Sequence, residues 1–283
     1  MSDAVTVIPA RSELAPLVLD SPHTGMLFPD DFRPALPMAD CMRVNDWFVD
    51  ELFGAGPDHG APLILAEFRR AYIDPNRDTT DLDLEIVADG WPHPVKQTEK
   101  TSRGASLIWR MIDGDKVIYD RKLSHAEVTS RIEQYWRPYH AAVKTALDDA
   151  YAAFGKVFHI NCHSMPEFGN AVWGDPNIRR ADMVIGTRDG STAGAAFTAV
   201  VVDQLRAAGY QVAINEGFKG VELVRRYSDP AAGRESLQIE VNRGIYMDEA
   251  AITRSDRFAQ TQADITAMIA AVADYARTQV SAG

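Results

Sequence analysis

Two histidines carry the first sign of chemistry in this chain. His23 lies in Ser21-Pro22-His23-Thr24-Gly25 and His163 in Asn161-Cys162-His163-Ser164, each just past a hydrophobic run with the character of a buried strand. Imidazoles delivered at the carboxyl ends of two strands suit a metal or acid–base site, because ligands bind at that edge of an open α/β sheet. A hydrolytic zinc site takes three nitrogen or oxygen ligands and leaves one position open for water. Asp46, in Val44-Asn45-Asp46-Trp47, is the candidate third ligand, near the start of an expected helix whose apolar face (Trp47, Phe48, Leu52) would pack on the sheet. A hydrogen-bonded structural role is the competing reading for any single histidine. His159 shares a strand face with His163 but lies earlier, so it is expected in the core. His140 is expected on a helix in a packing or supporting role, and His59, His93 and His125 at the surface.

Glu240 is the suspicious carboxylate. In Leu237-Gln238-Ile239-Glu240-Val241 it interrupts an apolar strand, where an unpaired charge is costly. Alternation puts Gln238 and Glu240 on one face and the apolar residues on the other. A half-exposed edge strand and a general base at a strand end explain this equally well. Arginines point to the substrate. Asn76 and Arg77 follow one short strand, and Arg188 follows another in Gly186-Thr187-Arg188-Asp189. Arginine grips carboxylates through a planar two-donor fork, although each of these also has an aspartate neighbour to pair with. An anionic small substrate is the expectation.

Short apolar runs alternate with helical patterns, the signature of an α/β fold. Strands are expected at 17–20, 63–67, 71–74, 157–162, 183–186, 211–215 and 237–241, and helices at 40–53, 124–154, 192–208 and 255–278. Pro138 should kink or divide the second helix, while Thr192 and Gly209 should cap and stop the third. No linker separates independent halves, so residues 1–283 read as one domain. The Gly-, Pro- and charge-rich stretch 86–120 reads as a lid or insertion.

Bulk properties exclude several classes. The 283 residues are 46% hydrophobic and 24% charged, with a net charge of −11, which argues against a nucleic-acid partner. Cys41 and Cys162 are the only cysteines, too few and too far apart for a disulfide framework or a thiolate zinc site. Neither a signal peptide nor a membrane span is evident, so a cytoplasmic protein is expected. The sequence sets no oligomeric state. No Walker motif, dinucleotide fingerprint or serine-nucleophile elbow is present.

Taken together, SPHTG, NDWFVDELF, YIDPNRD, YWRPYH, INCHS, DMVIGTRDGSTAG, NEGFKG and LQIEVNRGIYMDE make the chain resemble the N-formylglutamate amidohydrolase family over about residues 15–250. The resemblance implies a zinc carboxypeptidase-like α/β fold, with a mixed central β-sheet flanked by helices. It implies one divalent metal ion, Zn2+, held by His23, Asp46 and His163, with Glu240 as the catalytic carboxylate. It likens Asn76 and Arg77 to the pair with which carboxypeptidases hold a substrate carboxylate; Arg188 is added as a partner for a second carboxylate. The implied reaction is hydrolysis of N-formyl-L-glutamate to formate and L-glutamate, as in histidine degradation. A related zinc carboxypeptidase, another N-acyl-amino-acid deacylase, or a non-catalytic anion-binding protein of the same fold are the alternatives. Two features depart from the pattern. Asn161 stands where the family commonly has an acidic residue, and Met26 where carboxypeptidases place a metal-binding glutamate.

Overall fold

In the computed structural model, which describes residues 4–88, 90–170 and 174–281, the strands in chain order are β1 (Val5–Ile8), β2 (Leu17–Ser21), β3 (Leu63–Ala66), β4 (Met111–Ile112), β5 (Lys116–Val117), β6 (Val157–Met165), β7 (Met183–Gly186), β8 (Val212–Ile214), β9 (Arg234–Asn242), β10 (Met247–Asp248) and β11 (Thr253–Arg254). The α-helices are α1 (Met38–Met42), α2 (Val49–Leu52), α3 (Glu99–Ser102), α4 (His125–Arg131), α5 (Arg137–Phe154), α6 (Ala195–Ala207), α7 (Glu222–Tyr227) and α8 (Phe258–Ser281). Seven strands form one mixed sheet in the order β1-β3-β2-β6-β9-β7-β8, and β4–β5 and β10–β11 are separate two-stranded pairs. The expected mixed sheet with flanking helices is what the chain builds. The chain forms two compact units: one contains residues up to Thr6, Pro22–Asn45 and Leu65–Ala142, the other Val7–Ser21, Asp46–Ile64 and Val143 onward. No helix among the described residues is long and apolar enough to cross a membrane.

In the larger unit, β6 pairs in parallel with β2 on one side and β9 on the other. Its alternation separates two kinds of chemistry. Phe158, Ile160 and Cys162 lie on one face, with the Phe158 ring 5.1 Å from Phe197 of α6 and 5.4 Å from Tyr275 of α8. His159, Asn161 and His163 lie on the other face, as the period of two requires. Both faces are buried, so the polar one must be hydrogen-bonded throughout. The strand extends to Met165, beyond the expected end at 162, and His163 therefore sits within the ladder rather than past it. β9 likewise runs over Arg234–Asn242, and β7 pairs with it antiparallel. β9 thus has neighbours on both sides, which removes the edge-strand reading of Glu240.

The expected helix at 40–53 is two short pieces, α1 and α2. Phe48 separates them with a left-handed backbone, φ 63°, which interrupts the helical hydrogen-bond ladder. Asp46 consequently lies in the connecting turn. The Phe48 ring is held against Phe258 at 6.0 Å, and Tyr246 Oη donates to the Trp47 carbonyl at 2.9 Å. The third expected helix begins at Ala195 with Gly194 as its N-cap, not at Thr192; Gly209 ends it with φ 93°. A π-helical turn at Ile132–Trp136 precedes α5, so the disturbance expected of Pro138 falls just before it.

In the smaller unit, residues 71–74 are not a strand. Tyr72 N bonds to Arg69 O and Asp74 N to Leu107 O, so the apolar run is buried in a turn, packed without sheet pairing. Arg131, fully buried, donates to the Tyr72 carbonyl at 2.9 Å and to Tyr119 Oη at 2.7 Å. Within 86–120, residues 105–108 are buried, and they supply carbonyl anchors to this turn.

Candidate metal centre and catalytic site

His163 is fixed from both ring nitrogens. Nε2 lies 2.7 Å from Asn161 Oδ1 and Nδ1 lies 2.9 Å from Asp46 Oδ2. The other Asp46 oxygen, Oδ1, accepts from Arg243 Nη2 at 3.0 Å, and Arg243 Nε donates to Ser164 Oγ at 2.9 Å. Burial alone would make the Arg243 guanidinium easier to deprotonate; Asp46, with Tyr246 and Glu249, reverses this and holds its proton more tightly. Asp46 is itself fully buried, so its charge depends on these partners.

His23 is set from its own unit. Its Nε2 lies 2.7 Å from Asp74 Oδ1; a carboxylate only accepts hydrogen bonds, so Nε2–H donates and Nδ1 keeps its lone pair. Asp74 also accepts from the Asn76 backbone N–H at 2.9 Å, Arg70 Nη2 at 3.0 Å and Trp109 Nε1 at 3.1 Å. Burial alone would raise its pKa, yet the charges of His23, Arg70 and Arg77 hold the carboxyl well below the usual range. Gly25, two residues on, is a place where only glycine fits: a Cβ would stand 2.4 Å from the Glu67 carbonyl carbon and the Phe68 oxygen.

One ligand atom from each of His23, Asp46 and His163 lies within 4.8 Å of the others, and all three residues are buried. This set fits a small divalent cation. Two imidazoles and a carboxylate are a common hydrolytic zinc donor set, and the second nitrogen of each imidazole is bonded to a fixed partner, as in metal-ligating histidines generally.

Glu240 stands beside this cluster by register. β6 and β9 pair His163 with Glu240 and Asn161 with Gln238, and aligned residues of a parallel pair share a face. Gln238 Nε2 donates to Glu240 Oε1 at 2.8 Å. Both side chains are buried, so the carboxylate is oriented and largely removed from bulk water.

Asn76 and Arg77 are buried in the turn after Asp74. Arg77 Nε donates to the Ala105 carbonyl at 3.0 Å and Nη1 to the Asn76 carbonyl at 2.9 Å. Trp136 Nε1 holds the Arg77 carbonyl at 2.9 Å, and His140 Nε2 lies 2.8 Å from the Pro75 carbonyl. His140, 3.6 Å from the Trp136 ring between centroids, therefore supports this loop. His159 is in the core as expected, while His93 and His125 are exposed and His59 is half-buried.

Arg188 is placed differently. β7 runs opposite to β9, with Gly186 level with Gln238 and Met183 level with Val241. Its carboxyl end therefore points away from the end at which His163 and Glu240 sit. Continuing that register puts Arg188 level with Ser236, about 13 Å before Glu240 along β9 at roughly 3.3 Å per residue. There Arg188 Nη1 donates to the Gly220 carbonyl at 3.1 Å and Asp189 pairs with Lys219. Arg188 therefore lies toward the sheet end opposite to that of His163 and Glu240, because an antiparallel strand leaves from the opposite edge.

Sequence reasoning overlooked Asp20, Asp74 and Arg243. Each is a charged residue inside or directly after an apolar strand or buried turn, the same signal that drew attention to Glu240.

Comparison with known proteins agrees with this architecture. The family model of N-formylglutamate amidohydrolase matches residues 15–247. The chain is 27% identical to an N-formylglutamate deformylase of Pseudomonas putida over 83% of this chain and 82% of that one. It is 26% identical to an N-formylglutamate deformylase of Pseudomonas aeruginosa over 93% of this chain and 94% of that one. The crystal structure of N-formylglutamate amidohydrolase from Ralstonia eutropha JMP134 superimposes with a TM-score of 0.94 at 42% identity, covering 98% of this chain and 99% of that one. With this mixed sheet and candidate ligand cluster, the chain belongs to the N-formylglutamate amidohydrolase family, hydrolases that act on an amide bond.

Proposed function

We propose that residues 1–283 act as one metal-dependent amidohydrolase that cleaves N-formyl-L-glutamate to formate and L-glutamate. The observation that carries this reading is the cluster of two imidazoles and one carboxylate within 4.8 Å, beside a buried glutamate, in a chain of this family. His23, Asp46 and His163 would hold one divalent ion, for which this donor set favours Zn2+. When bound, such an ion lowers the pKa of water toward about 7 and polarises a carbonyl oxygen.

Glu240 takes a proton from the attacking water, whose oxygen joins the formyl carbon. The carbon–nitrogen bond then breaks, and Glu240 returns the proton to the departing glutamate nitrogen. Gln238, bonded to Oε1, keeps the carboxylate turned as this exchange requires. Asn76 and Arg77 bind a substrate carboxylate through directional hydrogen bonds, with the Arg77 side chain already oriented by Ala105. Arg188, at the far end of the sheet, is left out of this proposal.

Removing metal with a chelator should abolish formate release from N-formyl-L-glutamate, and adding back Zn2+ should restore it. Full activity in metal-free protein, verified by elemental analysis, refutes metal dependence. Equal rates on formyl-, acetyl- and peptidyl-glutamate would refute formyl specificity and favour a broader deacylase.

A further inference from the structure

Behind His163 runs a buried chain of polar groups in the larger unit that the reaction above does not use. Asn161 Nδ2 donates to Asp20 Oδ1 at 2.9 Å. The same Asp20 oxygen lies 2.7 Å from His159 Nε2, whose Nδ1 lies 2.7 Å from Ser236 Oγ. Asp20, Asn161 and His159 are all 0% exposed. The register explains the meeting: β2 and β6 align Asp20 with Asn161, so the two side chains share a face.

The donors and acceptors can be assigned in order. An ionised carboxylate only accepts hydrogen bonds. Asp20 therefore fixes the Asn161 amide with its NH2 toward β2 and its Oδ1 toward His163. That oxygen also only accepts, so His163 Nε2, 2.7 Å away, must carry the ring proton. In the neutral ring Nδ1 is then a lone pair, 2.9 Å from Asp46 Oδ2. Two acceptors in contact need a cation or a proton between them.

We propose that Asn161 is a positioning residue for metal binding: oriented by Asp20, its amide locks His163 in the Nε2–H form and turns Nδ1 toward the divalent ion. The proposal rests on the metal-site reading above. It also accounts for an amide at this position. An aspartate at 161 would set two buried carboxylates at hydrogen-bond distance, where both cannot stay ionised. The negative charge that would otherwise adjoin the imidazole is moved one residue back, to Asp20.

Long-range proton–nitrogen spectra of the metal-free protein decide the matter independently of turnover. At about pH 8, where an ordinary imidazole is neutral, His163, assigned by comparison with His163→Gln, should carry a proton on Nε2, alone or with a second proton on Nδ1 facing Asp46 Oδ2. A neutral ring protonated on Nδ1 only overturns the proposal. Asp20→Asn should release the Asn161 amide, giving mixed tautomers and Zn2+ binding weaker by about 10–100-fold, measured by competition with a chelating dye. Unchanged tautomer and affinity in that variant refute the part given to Asp20. Should Asp20→Asn not fold, Asn161→Leu with the same dye assay and the wild-type spectrum still decide: equal Zn2+ affinity in the leucine variant counts against Asn161. If the wild-type chain binds no Zn2+ at all, the metal reading fails, while the tautomer still confirms or refutes the orientation of His163.

Discussion

Glu240 and Gln238 differ from an ordinary polar pair because both are buried on a strand flanked by two others. Replacing Glu240 with Gln keeps shape and hydrogen-bonding capacity but removes the proton acceptor. Metal content should stay the same while formate release falls by about 10²–10⁴-fold; a fully active variant would dismiss Glu240 as base. Arg77→Lys tests the other end of the substrate. Lysine cannot reach both the Ala105 and Asn76 carbonyls while presenting a fork, so KM should rise about 10–100-fold, the worth of a hydrogen bond to a charged group. Arg188→Ala, on the opposite sheet end, should leave KM unchanged in the same assay, and a comparable rise there would return Arg188 to the site. At this scale the sequence identified residue types that can do chemistry, and His23, Asp46 and His163 do come together. It was silent on Asp74 and Arg243, which act through contacts distant in sequence, Asp74 reaching His23 from 51 residues away and Arg243 reaching Asp46 from 197.

Elements were legible where side-chain period and backbone pairing coincide. β7 was expected at its exact bounds, and β2, β3, β6, β8 and β9 close to theirs, because a short apolar run flanked by turn residues marks a buried strand. Residues 71–74 were misread because burial, and not pairing, makes that run apolar. The helix expected at 40–53 missed its break because phenylalanine is a poor signal for a left-handed backbone; the cause lies in α8 and the Tyr246 hydroxyl. The antiparallel sense of β7 was equally invisible, and it alone determines where Arg188 goes. Gly25 offers a test of element geometry near His23. With a Cβ 2.4 Å from backbone atoms of residues 67 and 68, Gly25→Ala should lower stability by about 1–3 kcal/mol. Denaturant unfolding measures this, and an unchanged midpoint would show that the segments part without cost.

Over the whole molecule, composition excluded more than it assigned. The net charge of −11 belongs to the surface as a whole and says little about a cleft that arginines can locally reverse. The two cysteines give a molecular-scale prediction. Cys41 is buried, and burial, with the neighbouring Asp40 charge, raises its thiol from the ordinary 9.0 to about 11. A raised acid keeps its proton in the folded state, so its contribution to stability is complete below pH 9 and is lost as pH climbs toward about 11, where the unfolded chain ionises first. Iodoacetamide at pH 8 should accordingly leave Cys41 unmodified in native protein and label it after denaturation, read by peptide mass; rapid native labelling would mean that α1 opens freely.

The two-faced β6 strand has a consequence for how this gene can change. Its imidazoles and its aromatic core residues alternate on a single ladder nine residues long. Deleting one codon within it exchanges the faces downstream, sending histidine into the layer beneath α6 and α8 and phenylalanine or isoleucine toward the ligands. Substitutions can explore catalysis and core separately, one side chain at a time. Insertions and deletions cannot, so lineages of this protein should vary in length only outside that strand.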